Sequence, residues 1–104
     1  MEYLLVITTC SSQKEAEAIV DKVLQARLIA CANIIPAVQS FFHWKGEISH
    51  EQEVVVLMKT QKKHLDELVE WIQVNHSYQV PEIIAIPIVG GNTDYLNWVK
   101  EETT

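Results

Sequence analysis

Glycine and proline are scarce, with three of each in 104 residues. So few breakers leave little room for linkers, and no repeat or low-complexity segment interrupts the chain. Cysteine is scarcer still, at two. Without a C-x-x-C, the pair gives no zinc-ribbon pattern and suits free thiols better than a structural disulfide. Basic side chains are short as well: 8 Lys and Arg face 14 Asp and Glu, for a net charge of −6. An acidic chain without a basic stripe repels phosphate backbones, which argues against a nucleic-acid partner. No apolar run approaches the ~20 residues of a bilayer-spanning helix. Tyr3-Leu4-Leu5-Val6-Ile7 begins with no basic leader before it. These absences exclude a membrane partner and give cytoplasmic localisation as the expectation.

What is present is a globular composition: 48% hydrophobic and 21% charged residues exclude a disordered chain. The length suits a single domain over 1–104, since a second core needs roughly 50 residues of its own. Residues 2–9 are β-branched and apolar and read as a strand. Ser12 and Glu15 stand at capping-box spacing, and Ala16, Ile19, Val20, Val23 and Leu24 recur at helical spacing, so a helix fits 12–27. Residues 28–44 read as a long strand in which Pro36 forces a bulge or an unpaired edge position. A turn at 44–48 leads to a returning strand at 49–60. Thr60 stands where it can cap a second helix, whose apolar stripe is Leu65, Leu68, Val69 and Ile72. Ile83–Ile86 is a fourth strand, placed at an edge or near its end by Pro87. Gly90-Gly91-Asn92 turns into a last helix carrying Tyr95, Leu96, Trp98 and Val99.

The order β-α-β-β-α-β predicts an α+β fold, the ferredoxin-like plait, with an extra C-terminal helix and a long hairpin between the second and third strands. Helices on one face leave the other face of such a sheet to water, where strands should alternate. Val54–Met58 and Ile83–Ile86 are instead apolar at consecutive positions. A lone chain has too few helices to cover both faces. Burying ~400 Å² of apolar surface is worth roughly 10 kcal/mol before association costs, so an oligomer follows. Phe41, Phe42 and Trp44 give the hairpin tip the apolar weight of a contact surface.

Several segments together resemble the divalent-cation tolerance protein CutA family. They are Ala30-Cys31-Ala32-Asn33-Ile34-Ile35-Pro36, Trp44-Lys45-Gly46, Leu57-Met58-Lys59-Thr60, His76-Ser77-Tyr78-Gln79-Val80-Pro81-Glu82-Ile83 and Asp94-Tyr95-Leu96-Asn97-Trp98. The resemblance covers nearly the whole chain in order. It implies a homotrimer of ferredoxin-like subunits, related in architecture to PII signalling proteins and linked to tolerance of copper and other divalent metals. Two positions depart from the pattern. Ser77 stands where the family has proline. Thr8 and Asn75 stand where some bacterial members carry a cysteine and a second histidine tied to copper, so a copper site of that kind keeps only His76.

The chemistry-bearing residues each carry two readings. Cys31, between two alanines, is a small apolar strand residue or a soft copper ligand. Cys10 precedes a helix N-terminus and reads as a solvent-exposed bystander or as a reactive or metal-binding thiol. His43 and His50 face each other if the hairpin loop is Gly46-Glu47, but not if it is Lys45-Gly46. His64 reads as solvated on the second helix's first turn. His76, Tyr78 and Glu82 share a loop: His76 caps a helix end, or it joins Glu82 as a ligand. Lys59, Lys62 and Lys63 form a basic cluster that is a solvated helix end or, with Thr60, a place for an anion, and Glu47, Glu51 and Glu53 face water. The leading expectation is a non-catalytic trimer that binds copper or another divalent cation in clefts between subunits. His76, Glu82 and Cys31 are its metal ligands, and Trp44, Lys59 and Tyr78 line the cleft. A PII-like trimer binding a small metabolite or partner protein is the alternative. An enzyme rests on fold analogy alone.

Overall fold

The structure is a computed structural model and describes residues 2–104. Its elements are β1 (Tyr3–Cys10), α1 (Gln13–Gln25), β2 (Cys31–Trp44), β3 (Glu47–Gln61), a 3-10 turn (Lys62–His64), α2 (Leu65–Asn75), β4 (Ile83–Ile88) and α3 (Thr93–Glu102). The four strands form one antiparallel sheet in the order β2-β3-β1-β4, the ferredoxin-like plait.

Alternation along the strands divides the sheet into two faces. Leu4 and Val6 of β1 and Val54, Val56 and Met58 of β3 are buried with Ala16, Ile19 and Val23 of α1 and Leu68 and Ile72 of α2. The intervening positions point the other way. There Ile7 lies between Leu57 and Ile84, Leu5 beside Ile86, and Ile35 beside Val55. Ile35, Ile84 and Ile86 are 42%, 50% and 45% exposed. α3 covers only one end of this second face, where Thr103 accepts a bond from Gln61 at 2.8 Å and the Tyr95 hydroxyl meets Cys31 Sγ at 3.1 Å. The rest is open.

Local signals explain the element ends. The Ser12 hydroxyl accepts the Glu15 amide at 3.1 Å and starts α1. The reciprocal bond of the expected capping box goes to Ser11, not Ser12. α1 ends at Ala26, and Arg27 takes φ 57, so the chain turns before 28–30 instead of entering a strand. Leu28, Ile29 and Ala30 are apolar because they are buried, and of the three only Ala30 bonds to a strand, its amide donating to the Lys59 carbonyl at 2.9 Å. The bulge expected at Pro36 is present as a register shift between Ile35 and Val38, with Ala37 at φ 60. Lys45 and Gly46, at φ 51 and 82, make a two-residue hairpin turn. Thr60 caps nothing: its hydroxyl donates to the Leu28 carbonyl at 2.6 Å, and α2 starts at His64 with no side-chain cap. His64 is half-buried, its ring against the Thr103 carbonyl. β3 pairs with β1 only from Val54 onward, so the hairpin from Val38 to Glu53 projects beyond the sheet and extends the molecule to 44 Å.

Candidate functional site

Three segments meet where β1 ends. β1 delivers Thr9 and Cys10, the first turn of α1 delivers Glu15, and the exit from α2 delivers His76, Ser77 and Tyr78. The His76 ring is fully buried. Its Nε2 donates to the Thr9 carbonyl at 2.7 Å, which places the ring proton there and leaves a lone pair on Nδ1. Nδ1 accepts the Tyr78 amide at 3.0 Å and lies 3.8 Å from Glu15 Oε2. His76 stands at the C-cap position of α2, yet its ring reaches β1 and not the helix's own carbonyls.

Burial pushes the Glu15 carboxyl upward, but the Ser77 amide at 2.8 Å and hydroxyl at 3.0 Å, together with His76 and the Ser11 amide, outweigh it and hold the carboxyl below its usual range. Cys10 has no exposed surface, which corrects the expectation of a solvent-exposed thiol. Burial first, then the charges of Glu15 and Glu53, push its pKa up to about 12. Glu53 is 6% exposed, which corrects the expectation that it faces water. Its carboxylate accepts the Tyr78 hydroxyl at 2.6 Å. Burial and that bond push the Tyr78 phenol upward.

Cys10 Sγ, a Glu15 oxygen and a His76 ring nitrogen all lie within 4.8 Å of one another, the one such trio of ligating side chains among the described residues. Glu15 was missed as a site residue in the sequence, where it reads as a cap, and Cys10 reads there first as a bystander, with a metal-binding thiol as its second reading. The available signal was topological: the last residue of a strand and the first turn of the helix after it share one corner.

The expected ligands fall in separate places. Glu82 is exposed just before β4, and its main-chain carbonyl accepts the Thr8 hydroxyl at 2.7 Å. Cys31 starts β2 opposite Lys59, whose amine donates to Asn33. The bond with Cys31, then burial, push the Tyr95 phenol up to about 12. Trp44 ends β2 at the hairpin tip, with Lys45 over its ring at 5.8 Å. An extended strand of that length spans roughly 40 Å, so one chain cannot bring Trp44 beside Cys31. Tyr78 stays with His76, their rings 4.8 Å apart. The two-residue turn pairs His43 with Ile48, which removes the His43–His50 pair; His50 stacks on Phe41 at 4.1 Å instead.

The plait, the extra helix and the thiol–carboxylate–imidazole corner define a ferredoxin-like α+β protein with donors suited to a divalent ion. The family model for the CutA1 divalent ion tolerance protein matches residues 4–102, and the chain belongs to that family. It is 39% identical over 99 residues to the divalent-cation tolerance protein CutA of Thermus thermophilus, covering 95% of this chain and 96% of that one. It is 35% identical over 100 residues to the chloroplastic protein CutA of Arabidopsis thaliana, covering 96% of this chain and 55% of the relative. The solved structure of the periplasmic divalent cation tolerance protein CutA from Archaeoglobus fulgidus superposes with a TM-score of 0.95 at 35% identity, covering 98% of this chain and 99% of that one. The chain spans about half the length of the plant and mammalian curated relatives it matches.

The family is named for tolerance and not for a reaction. The cytoplasmic expectation is corrected here: these relatives are described as chloroplastic and periplasmic. Composition decides solubility and charge, and it carries no address. No helix among the described residues is long and apolar enough to cross a membrane.

Proposed function

We propose that the chain is a non-catalytic divalent-cation-binding protein that works as a homotrimer, with His76 as its central ligand. One observation carries the reading. In a family named for divalent-ion tolerance, the one trio of ligating side chains among the described residues gathers around His76. The trimer rests on the resemblance and on the open sheet face, whose isoleucines need other copies to leave water. In this reading Cys31, Glu82, Lys59 and Trp44, which stand apart within one chain, come toward His76 and Tyr78 only across subunit clefts. Calorimetry with copper and zinc on the wild type and His76→Ala tests it. The expected result is a clear heat for the wild type that the variant loses. Equal, negligible heats for both proteins remove the metal from the function.

The PII-like alternative draws support from the hairpin, where Phe41 is 68% and Ile48 74% exposed. That reading makes the tip a partner surface. Trp44→Ala then abolishes partner capture and leaves metal titration unchanged.

A further inference from the structure

The corner at the end of β1 has an unusual charge balance. Glu15 is mostly buried and Glu53 almost wholly so. Neither carboxylate has a Lys or Arg within 4.0 Å among the described residues. Glu53 has the Tyr78 hydroxyl, and Glu15 has hydrogen bonds from Ser77 and Ser11 beside the His76 ring. Two carboxylates withdrawn from water call for positive charge. Beside them the wholly buried Cys10 thiol supplies a soft donor with no hydrogen bond among the described residues.

We infer that Cys10 Sγ, a Glu15 carboxylate oxygen and His76 Nδ1 form a metal site within a single chain, built for a borderline-soft divalent ion such as zinc. The inference rests on the proposed cation-binding role and names its ligands. One thiolate, one imidazole and one carboxylate match the donors zinc takes. Magnesium and calcium call for oxygen throughout. The His76 ring is already oriented for the task, because the Nε2 bond to the Thr9 carbonyl fixes the tautomer that leaves Nδ1 free of a proton. Glu15 Oε2 accepts only the Ser77 amide and keeps a lone pair, whereas Oε1 already takes the Ser77 hydroxyl and the Ser11 amide and hydroxyl. What must give is the Tyr78 amide, which holds Nδ1 at 3.0 Å. It lies in the bend at 77–80, outside any helix or strand. Glu15 is the one ligand with surface exposure, so the ion enters past Glu15 and Ser77. Binding exchanges the thiol proton for the metal: Cys10 changes from S–H to S–metal, and one proton passes to the buffer.

Cobalt(II), a spectroscopic stand-in for zinc, tests the assignment on the intact chain in its native assembly. The expected result is one cobalt per chain, a thiolate-to-cobalt absorption band, and release of one proton per ion. Cys10→Ser removes the band. Glu15→Gln, which keeps an oxygen for the Ser77 donors, weakens zinc at least tenfold while the chain stays folded. His43→Gln and Glu47→Gln, on the hairpin and away from the corner, leave both band and affinity as they are. Thermal melts keep a misfolded variant from being misread: zinc raises the wild-type midpoint and leaves that of folded Cys10→Ser or Cys10→Ala unmoved. If the band survives Cys10→Ser and disappears in Cys31→Ser, this site is wrong and the inter-subunit reading stands. If wild type binds neither zinc nor cobalt, both fall.

Discussion

The two faces of the sheet are built from the same apolar residue types and meet different fates. On the helix side, Val6, Val56, Met58, Leu68 and Ile72 have no exposed surface. On the other side, Ile35, Ile84 and Ile86 remain 42–50% exposed, although they sit in strands of the same sheet, at positions that point to its opposite face. Hydrophobicity therefore does not set burial here; the count of helices does. α1 and α2 cover one face, and α3 reaches only the end of the other, at Cys31 and Gln61. The difference teaches that one of the sheet's two apolar faces lies beyond the reach of this chain's own helices.

The sharpest way to break that comparison is to cut one residue from each face. Ile72→Ala empties a site with no exposure, and about 2–5 kcal/mol of unfolding free energy should go, read from urea or thermal melts. The assembly should keep its mass in native buffer. Ile84→Asp should behave the other way. A carboxylate on the open face should cost each shared interface about 2–3 kcal/mol, roughly a hundredfold in self-association, and light scattering should show dissociation toward single chains. Should Ile84→Asp leave the mass unchanged at micromolar dilution, the open face is ordinary wet surface and the contrast disappears.

The fold was legible because its local signals agree with its topology. Ser12 begins α1, Pro36 marks the bulge, Gly46 the turn, and Asn92 begins α3 by accepting the Asp94 and Tyr95 amides. The open face was legible too, from strands that fail to alternate. Misreadings arose where a side chain serves a distant partner. Thr60 has the residue type and place of a cap, but its hydroxyl is taken by the Leu28 carbonyl, 32 residues away in sequence. Glu53 occupies a hairpin position that ought to meet water, yet it lies just past the end of β1, beneath Tyr78. Cys10 and Glu15 each had an adequate local reading, and only the return of the chain at His76 makes them neighbours. The family resemblance pointed to His76; it did not point to the company His76 keeps.

A smaller effect sharpens the comparison at the corner itself, where polar groups and not alkyl chains fill the interior. Tyr78→Phe removes the one hydrogen bond to the Glu53 carboxylate and leaves that group 6% exposed without a donor. An unsatisfied buried acceptor costs about 1–3 kcal/mol. The loss should show in denaturant midpoints with the assembly intact. A loss below the error of the midpoint would mean that the corner opens to water and is no part of the core.

The smallest effect is that of acid. Glu15 is held below its usual carboxylate range by Ser77, His76 and Ser11 against the opposing push of burial. The folded state thus prefers the charged carboxylate more than the unfolded chain does. Its contribution is fully present above the ordinary value of 4.5 and is lost as pH falls through the lowered folded value beneath it. Other carboxylates titrate in the same window, so the comparison is between wild type and Glu15→Gln, with stability measured by urea at steps from neutral pH downward. The variant should be the less stable protein at neutral pH, and the gap should close as pH falls below 4.5. The amide keeps an oxygen for the Ser77 donors, so whatever gap remains in acid belongs to geometry, and the part that closes belongs to charge. A gap that stayed constant with pH would show that Glu15 serves the corner only as a hydrogen-bond acceptor and that its negative charge contributes nothing to holding α1, β1 and the 76–78 segment together.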